Sequence, residues 1–132
     1  MRNLDTNVLV RYLVADEPRH SSLAKRLMEE SEQEGEPLFV STAVLCELVW
    51  VLSSTYRLPK STIVGILAQV LDTGRFKIEG EALAWRALYL YREGKGGFAD
   101  YLIGEVGRHA GCRDTVTFDS ALKATPGFTV LA

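Results

Sequence analysis

Short apolar runs alternate with longer segments of helical periodicity along the whole chain, and this order limits the possible folds more than any other feature. Two strands that are joined through a helix pair in parallel and form a right-handed crossover. We predict strands at residues 3–5, 38–40, 75–78, 115–118 and 128–131. The sequence therefore predicts an α/β fold, a three-layer sandwich in which a central parallel sheet of four to five strands is flanked by helices.

Helices are predicted in the intervals between these strands, because apolar residues recur there at helical spacing, as at Leu9 and Leu13. Thr42 and Ser61 stand where helix N-caps are expected. The predicted helices lie at about 7–16, 18–34, 42–56, 61–71, 81–92 and 99–109. In sheets of this kind ligands bind beyond the carboxyl ends of the strands, so we expect a functional site at that edge.

Length and composition agree with one compact domain over residues 1–132, since the hydrophobic fraction of 47% is enough for a core. The net charge of -2 gives no positive field for a polyanion. Cys46 and Cys112 lack zinc-site spacing, which favours free thiols in a reducing compartment. The segment MRNLDTN has an acid at its fifth position, unlike a signal peptide, and Glu47 interrupts the longest apolar stretch. We expect a cytoplasmic protein without a membrane span.

Two acidic residues fall at the sheet edge where a ligand is expected. Asp5 ends the predicted first strand, and Asp119 comes at the end of the fourth. Because the carboxyl ends of parallel strands share one edge, both side chains are expected in the same crevice.

Two further acids lie in helical segments with apolar neighbours. Glu47 shares its predicted helix with Val44 and Leu48, where an unpaired carboxylate would carry a large desolvation penalty. Asp100 begins a helix after the GKGGF segment and precedes apolar Leu102. We therefore expect both carboxylates to point inward and to require a cation or a proton.

The four acids together favour a divalent metal site, because hard cations select oxygen ligands. Each acid also has a local explanation. Asp5, Asp100 or Asp119 can cap a helix N-terminus, and Glu47 can pair with a buried arginine.

Three residues beside these acids carry polar groups that suit a supporting role. Thr6 and Asn7 follow Asp5, and Thr117 lies two residues before Asp119, on the same side of its strand. They can orient carboxylates or a bound water, although Thr6 can equally serve as a cap.

Four sequence blocks carry these acids and resemble the motifs of a known family. The blocks are LDTNVLVRYL, STAVLCELVWVL, FADYLIGEVGRHAGC and TVTFD. In this order they resemble PIN-domain ribonucleases, in particular the VapC toxins of bacterial type II toxin–antitoxin systems, and the resemblance runs essentially from end to end. It places the acids of the family's site on Asp5, Glu47, Asp100 and Asp119.

This resemblance implies a PIN-like parallel sheet flanked by helices, Mg²⁺ or Mn²⁺ as cofactor, and cleavage of RNA phosphodiester bonds. It also implies a homodimer and inhibition by a cognate small antitoxin protein. The chain departs from the family pattern after the third acid, where Tyr101 replaces a small residue and Gly104 stands in place of alanine.

The chemistry expected of such a site is hydrolysis by a metal-activated water. Asp5 and Asp100 are the first choices as metal ligands, and Glu47 and Asp119 are expected to hold the attacking water or a second ion. Contacts to the RNA backbone require cationic side chains. The candidates are Arg11, Arg57, Lys60, Arg92, Lys95 and Arg113.

Other functions fit the sequence less well. A phosphatase with Asp5 as nucleophile lacks the second acid of a DxD pair, because that position is Asn7, and it leaves Glu47 unexplained. Dinucleotide binding is disfavoured because the GKGG segment follows a helix and not a strand. A catalytically silent interaction module, stabilised by metal, is the non-enzymatic alternative.

The predicted helix at 42–56 is apolar nearly all round, which one sheet face does not usually cover. Val44, Leu48, Val49, Trp50 and Val51 contribute to this surface. The pattern predicts a homodimer and an antitoxin groove on this helix, with a simply buried helix as the alternative.

Overall fold

The computed structural model describes residues 1–132. The chain divides into two compact units, Met1–Glu81 and Ala82–Ala132, which are described separately. None of the helices is both long enough and apolar enough to cross a bilayer.

The first unit contains a three-stranded parallel sheet and four helices. In the sheet, β2 lies between β1 and β3, with Arg2 opposite Leu38 and Leu38 opposite Phe76. The elements are β1 (Arg2–Asn3), α1 (Thr6–Leu13), α2 (Pro18–Glu34), β2 (Leu38–Val40), α3 (Thr42–Ser54), α4 (Lys60–Asp72) and β3 (Phe76–Ile78).

Helix α3 is fixed at its start by two side chains that accept backbone hydrogen bonds. The Oγ atom of Ser41 accepts from Val44 N at 3.2 Å, and Oε1 of Glu79 accepts from Thr42 N at 2.8 Å. These contacts satisfy two of the amide groups that a helix leaves unpaired at its N-terminus. The helix then buries Leu48 and Leu52 completely.

The second unit contains α5 (Glu81–Glu93), which begins at the last residue of the first unit, and α6 (Phe98–His109). They are followed by β4 (Thr115–Thr117), a 3-10 helix (Ser120–Leu122) and β5 (Phe128–Val130). Strands β4 and β5 pair in parallel, with Thr115 opposite Phe128. Glu105 of α6 is buried and binds Arg86 of α5 at 2.9 Å and Arg108 at 3.3 Å, so its charge is compensated.

Tyr101 and Gly104, the two expected departures from the motif that the sequence resembles, both lie against the Phe128 ring. The buried Tyr101 hydroxyl accepts a hydrogen bond from Gly96 N at 2.9 Å, and its ring meets the Phe128 ring edge-on, with centroids 6.3 Å apart. A methyl group at Gly104 would lie 2.6 Å from Phe128 Cζ. The glycine therefore makes room for the ring that packs against the large tyrosine.

The α/β fold class is confirmed, and all five strands are present. The single central sheet of four to five strands was wrong in its pairing. Strand β4 pairs with β5, and these two form a sheet that is separate from the three-stranded one of the first unit.

Several predicted element boundaries are corrected. Asp5 is not part of β1 but precedes α1 as its N-cap. Ser41, and not Thr42, caps α3, because the Ser41 hydroxyl accepts a hydrogen bond from the amide of Val44, three residues later. Ser61 is not a cap, since α4 begins at Lys60 after Pro59 and has no side-chain cap there.

Candidate active site

Asp5 and Glu47 are brought together by the residue that follows Asp5. The Oδ1 atom of Asp5 accepts a hydrogen bond from Thr6 N at 2.7 Å. The Thr6 hydroxyl donates to Oε1 of Glu47 at 2.8 Å. Thr6 itself is buried, so one buried residue holds an acid at the start of α1 and an acid in the middle of α3.

Glu47 is exposed, which corrects the expectation of an inward-pointing carboxylate. Val44, Leu45 and Leu48 are buried, and Glu47 occupies the part of the helix circumference between them and exposed Trp50. The desolvation argument for a bound cation was therefore wrong. Pairing with a buried arginine was wrong as well, because the partner of Glu47 is the Thr6 hydroxyl.

Asp100 is half-buried at the third position of α6 and accepts a hydrogen bond from Gly97 N through Oδ2, at 2.8 Å. Gly97 precedes the helix and has no side chain to cap it. The carboxylate thus makes the hydrogen bond from the third helical residue back to the N-cap amide that is one half of a capping box.

Asp119 is exposed and caps the 3-10 helix. Its Oδ1 atom accepts from Ala121 N at 2.9 Å, and its own amide donates to Oγ1 of Thr117 at 3.0 Å. The Thr117 hydroxyl therefore holds the backbone of Asp119, and its role in orienting the carboxylate or a bound water stays a prediction. The capping explanation also holds for Asp5 and Asp119, since both are N-caps.

Hydrogen bonds within the protein occupy only one oxygen of each of the four carboxylates. Each has one oxygen in a hydrogen bond to the protein, and none forms an ion pair with lysine or arginine. The second oxygens accept no hydrogen bond from the protein; they are Asp5 Oδ2, Glu47 Oε2, Asp100 Oδ1 and Asp119 Oδ2. Carboxylate oxygens of this kind suit Mg²⁺ or Mn²⁺.

Asp5 and Glu47 belong to the first unit, whereas Asp100 and Asp119 belong to the second. No group of three or more His, Cys, Asp or Glu side chains forms a metal-binding cluster in the structure. A joint site of all four acids therefore stays a prediction.

The predicted RNA contacts differ in their surroundings. Arg11 binds Asp16 at 3.1 Å, and Arg92 binds Glu93 at 3.0 Å, so both cations are already paired. Lys95 and Arg113 are exposed and form no ion pair. Arg57 and Lys60, the other two cationic candidates, are also exposed.

Asn7, which was predicted to support Asp5, is exposed on α1.

Sequence reasoning missed a groove along α1 and α2 with a volume of about 460 Å³. The available signal was the spacing of four residues between Asn7 and Arg11 and between Leu23 and Leu27, which places each pair on one face of its helix. The groove is lined by Asn7, Val8, Arg11, His20, Leu23, Ala24 and Leu27. Sequence reasoning also missed the exposure of Phe118, which was predicted only as the last residue of a strand.

The chain belongs to the PIN-domain family, because the sequence profile of the PIN domain matches residues 3–127. This range covers most of both units and includes all four acids. The VapC ribonuclease of Aquifex aeolicus (strain VF5) is 30% identical over 123 residues, which are 93% of this chain and 90% of that protein. The resemblance that the four sequence blocks carry is thereby confirmed.

Proposed function

We propose that this chain is a VapC-type ribonuclease toxin, a single PIN domain over residues 1–132 that hydrolyses RNA phosphodiester bonds with Mg²⁺ or Mn²⁺. One observation carries the proposal. Four acids match the family's motifs in a chain that is similar over nearly its full length to a VapC ribonuclease, and each keeps one oxygen open.

The four acids and two threonines are proposed to have separate roles in catalysis. Asp5 and Asp100 are proposed to hold the metal, with Glu47 and Asp119 beside them. When bound, the metal neutralises phosphate charge and makes water a stronger nucleophile at neutral pH. Thr6 orients Glu47 through its hydroxyl, and Thr117 orients Asp119 through the backbone amide.

Substrate positioning falls to cationic side chains that are not already neutralised. Arg57, Lys95 and Arg113 are exposed without ion pairs, so they are the stronger candidates for contacts to the RNA backbone. Arg11 and Arg92 must first leave Asp16 and Glu93.

Inhibition by a cognate antitoxin, homodimerisation and a cytoplasmic location remain part of this proposal. The prediction of an apolar surface for the antitoxin and the second protomer on α3 is corrected, because Val44, Leu48 and Val49 are buried and Val51 is half-buried. Trp50, which is 67% exposed, is the member of that set that stays available to a partner.

The test compares Asp5→Asn and Asp5→Ala with the wild type in cleavage of RNA and in melting temperature, with and without Mg²⁺. Asparagine keeps the oxygen that accepts from Thr6 N, so the fold should be retained while cleavage is abolished. Mg²⁺ should raise the melting temperature of the wild type more than that of either variant, since only the folded wild type binds it tightly.

Glu17→Gln provides the matched control. Glu17 caps α2 by accepting from His20 N, yet it is not one of the four acids. This variant should cleave RNA like the wild type. Full activity in Asp5→Asn would contradict the metal-site assignment.

The two alternatives give different results in the same experiments. A metal-stabilised interaction module would show the rise in melting temperature without any cleavage. A phosphatase that uses Asp5 as nucleophile would hydrolyse a phosphate monoester such as p-nitrophenyl phosphate, whereas a ribonuclease would not.

A further inference from the structure

Phe118 is 82% exposed although it is a large aromatic residue. It directly follows β4 and directly precedes Asp119. Consecutive Cα atoms are about 3.8 Å apart, so the ring is attached immediately beside one of the four proposed site acids. A side chain this exposed contributes little to the core.

The backbone on both sides of Phe118 is held by hydrogen bonds. Before it, Thr117 O accepts from Leu131 N at 2.8 Å. After it, the Asp119 amide donates to Thr117 Oγ1, and the Asp119 carboxylate accepts from Ala121 N. The ring is therefore presented from a fixed strand end and not from an irregular loop.

The protein uses the opposite face of this sheet for its own packing. Phe128, on β5 opposite Thr115, lies against Gly104 and Tyr101 of α6. Because successive side chains of a strand point to opposite faces, Val116 lies on the other face of β4, and Phe118 follows the last residue of this strand. Both are exposed.

We propose that Phe118 is a specificity-determining residue that stacks an unpaired base of the RNA next to the bond that is cleaved. This inference rests on the proposed ribonuclease function and deepens it. Aromatic rings bind unpaired bases by stacking, whereas the bases of a duplex are already stacked on each other. The substrate class is therefore a single-stranded segment or loop.

A protein partner is the competing occupant of this surface. Val116, Phe118 and Leu131 are the exposed apolar residues at this end of the two strands. Three side chains are far fewer than the 20 to 30 residues that each partner typically contributes to a stable protein interface, about 800 Å² a side. The position of the ring beside Asp119 favours a nucleotide instead.

The experiment measures kcat and KM for cleavage of an unstructured RNA by the wild type, Phe118→Ala, Phe118→Leu and Phe118→Trp. Loss of stacking in Phe118→Ala should raise KM about 5- to 100-fold and leave kcat within about 2-fold. Phe118→Trp should restore the wild-type KM. Phe118→Leu should not, because leucine keeps an apolar surface but has no aromatic face.

A second measurement reports stacking without cleavage. Without divalent metal a metal-dependent ribonuclease leaves an RNA that carries 2-aminopurine intact, and the fluorescence of 2-aminopurine falls when it stacks. The wild type and Phe118→Trp should quench it, and Phe118→Ala and Phe118→Leu should not. The control is Trp85→Ala, which removes another exposed ring, on α5, and should match the wild type in KM and in quenching.

Three outcomes would overturn the inference. They are an unchanged KM with unchanged quenching in Phe118→Ala, restoration by leucine as complete as by tryptophan, or an effect of Phe118→Ala on assembly with a protein partner and not on RNA. If the wild type cleaves no RNA at all, the proposed function fails, while quenching of the 2-aminopurine RNA still decides whether Phe118 stacks a base.

Discussion

The hydroxyl of Thr6 donates a hydrogen bond to Glu47 across 41 positions of the sequence, at 2.8 Å. The backbone amide of the same residue binds Asp5, so Thr6 contacts two of the proposed site acids, and a substitution of its side chain alters only the contact to Glu47. Neither acid forms an ion pair, so Thr6 is the residue that holds both acids through hydrogen bonds.

Thr6→Val should reduce cleavage by about 10- to 100-fold, as is typical when a group that orients a metal ligand is removed. Valine fills the same buried space, and Glu47 is exposed to water, so the free energy of unfolding should change by less than about 1 kcal/mol. Thr6→Ser keeps the hydroxyl and serves as the control. Steady-state cleavage rates and urea denaturation of the three proteins check this, and normal cleavage by the valine variant would contradict it.

Gly104→Ala and Gly65→Ala should shift stability in opposite directions. In α6 the new methyl group would lie 2.6 Å from Phe128 Cζ, and overpacking of this kind costs about 1 to 3 kcal/mol. In α4 nothing lies within 4 Å of the added carbon of Gly65, so alanine should stabilise by up to about 1 kcal/mol through its helix propensity. Urea denaturation measures both variants, and a stabilised Gly104→Ala would show that the Phe128 ring moves aside freely.

Glu79 gives the stability of the chain a defined response to acid. Hydrogen bonding from Thr42 at the start of α3 lowers the pKa of the Glu79 carboxyl below its usual value. A pKa that is lower in the folded protein means that this contact stabilises above the unfolded pKa and is lost as the pH falls through the folded one. Glu79→Gln should therefore be less stable than the wild type at neutral pH.

The difference in melting temperature between wild type and Glu79→Gln should disappear in acid, at a pH below the lowered pKa of the carboxyl. A difference that stays constant from neutral pH into that range would contradict the role of the charged form. The exposed Glu81→Gln, in the first turn of α5, is a control for the general effect of removing a carboxylate from this region.

Cys112 should react with a thiol reagent much faster than Cys46. Cys112 is exposed, whereas burial raises the pKa of the Cys46 thiol and so lowers the fraction present as reactive thiolate. Brief treatment with iodoacetamide at neutral pH, followed by mass spectrometry, should show one modified cysteine. Cys112→Ser should remove that fast modification, and equal labelling of both thiols in the wild type would contradict the prediction.

The sequence was most informative where local chemistry decides the structure. The second strand was predicted with its observed bounds, and Gly35 ends α2 in the left-handed conformation that suits glycine. Asp5, Asp100 and Asp119 were singled out from their positions near strand ends and helix starts, which are local features as well.

Long-range arrangement was less predictable. Nothing in the β4 segment indicates that its hydrogen bonds go to β5 alone, because pairing depends on how distant segments meet. The exposure of Glu47 was missed for a related reason. Helix α3 is apolar around most of its circumference, and periodicity alone did not show which narrow strip would face outward.

The single hydrogen bond that holds each of the four carboxylates has a thermodynamic consequence for the proposed metal site. A flexible side chain loses conformational entropy when a ligand fixes it, at about 0.5 to 1.5 kcal/mol for each group. Here Asp100 is already oriented by Gly97, and Asp119 by Ala121, before any ion arrives. That entropy is lost when the chain folds, so ion binding is opposed mainly by dehydration of the ion.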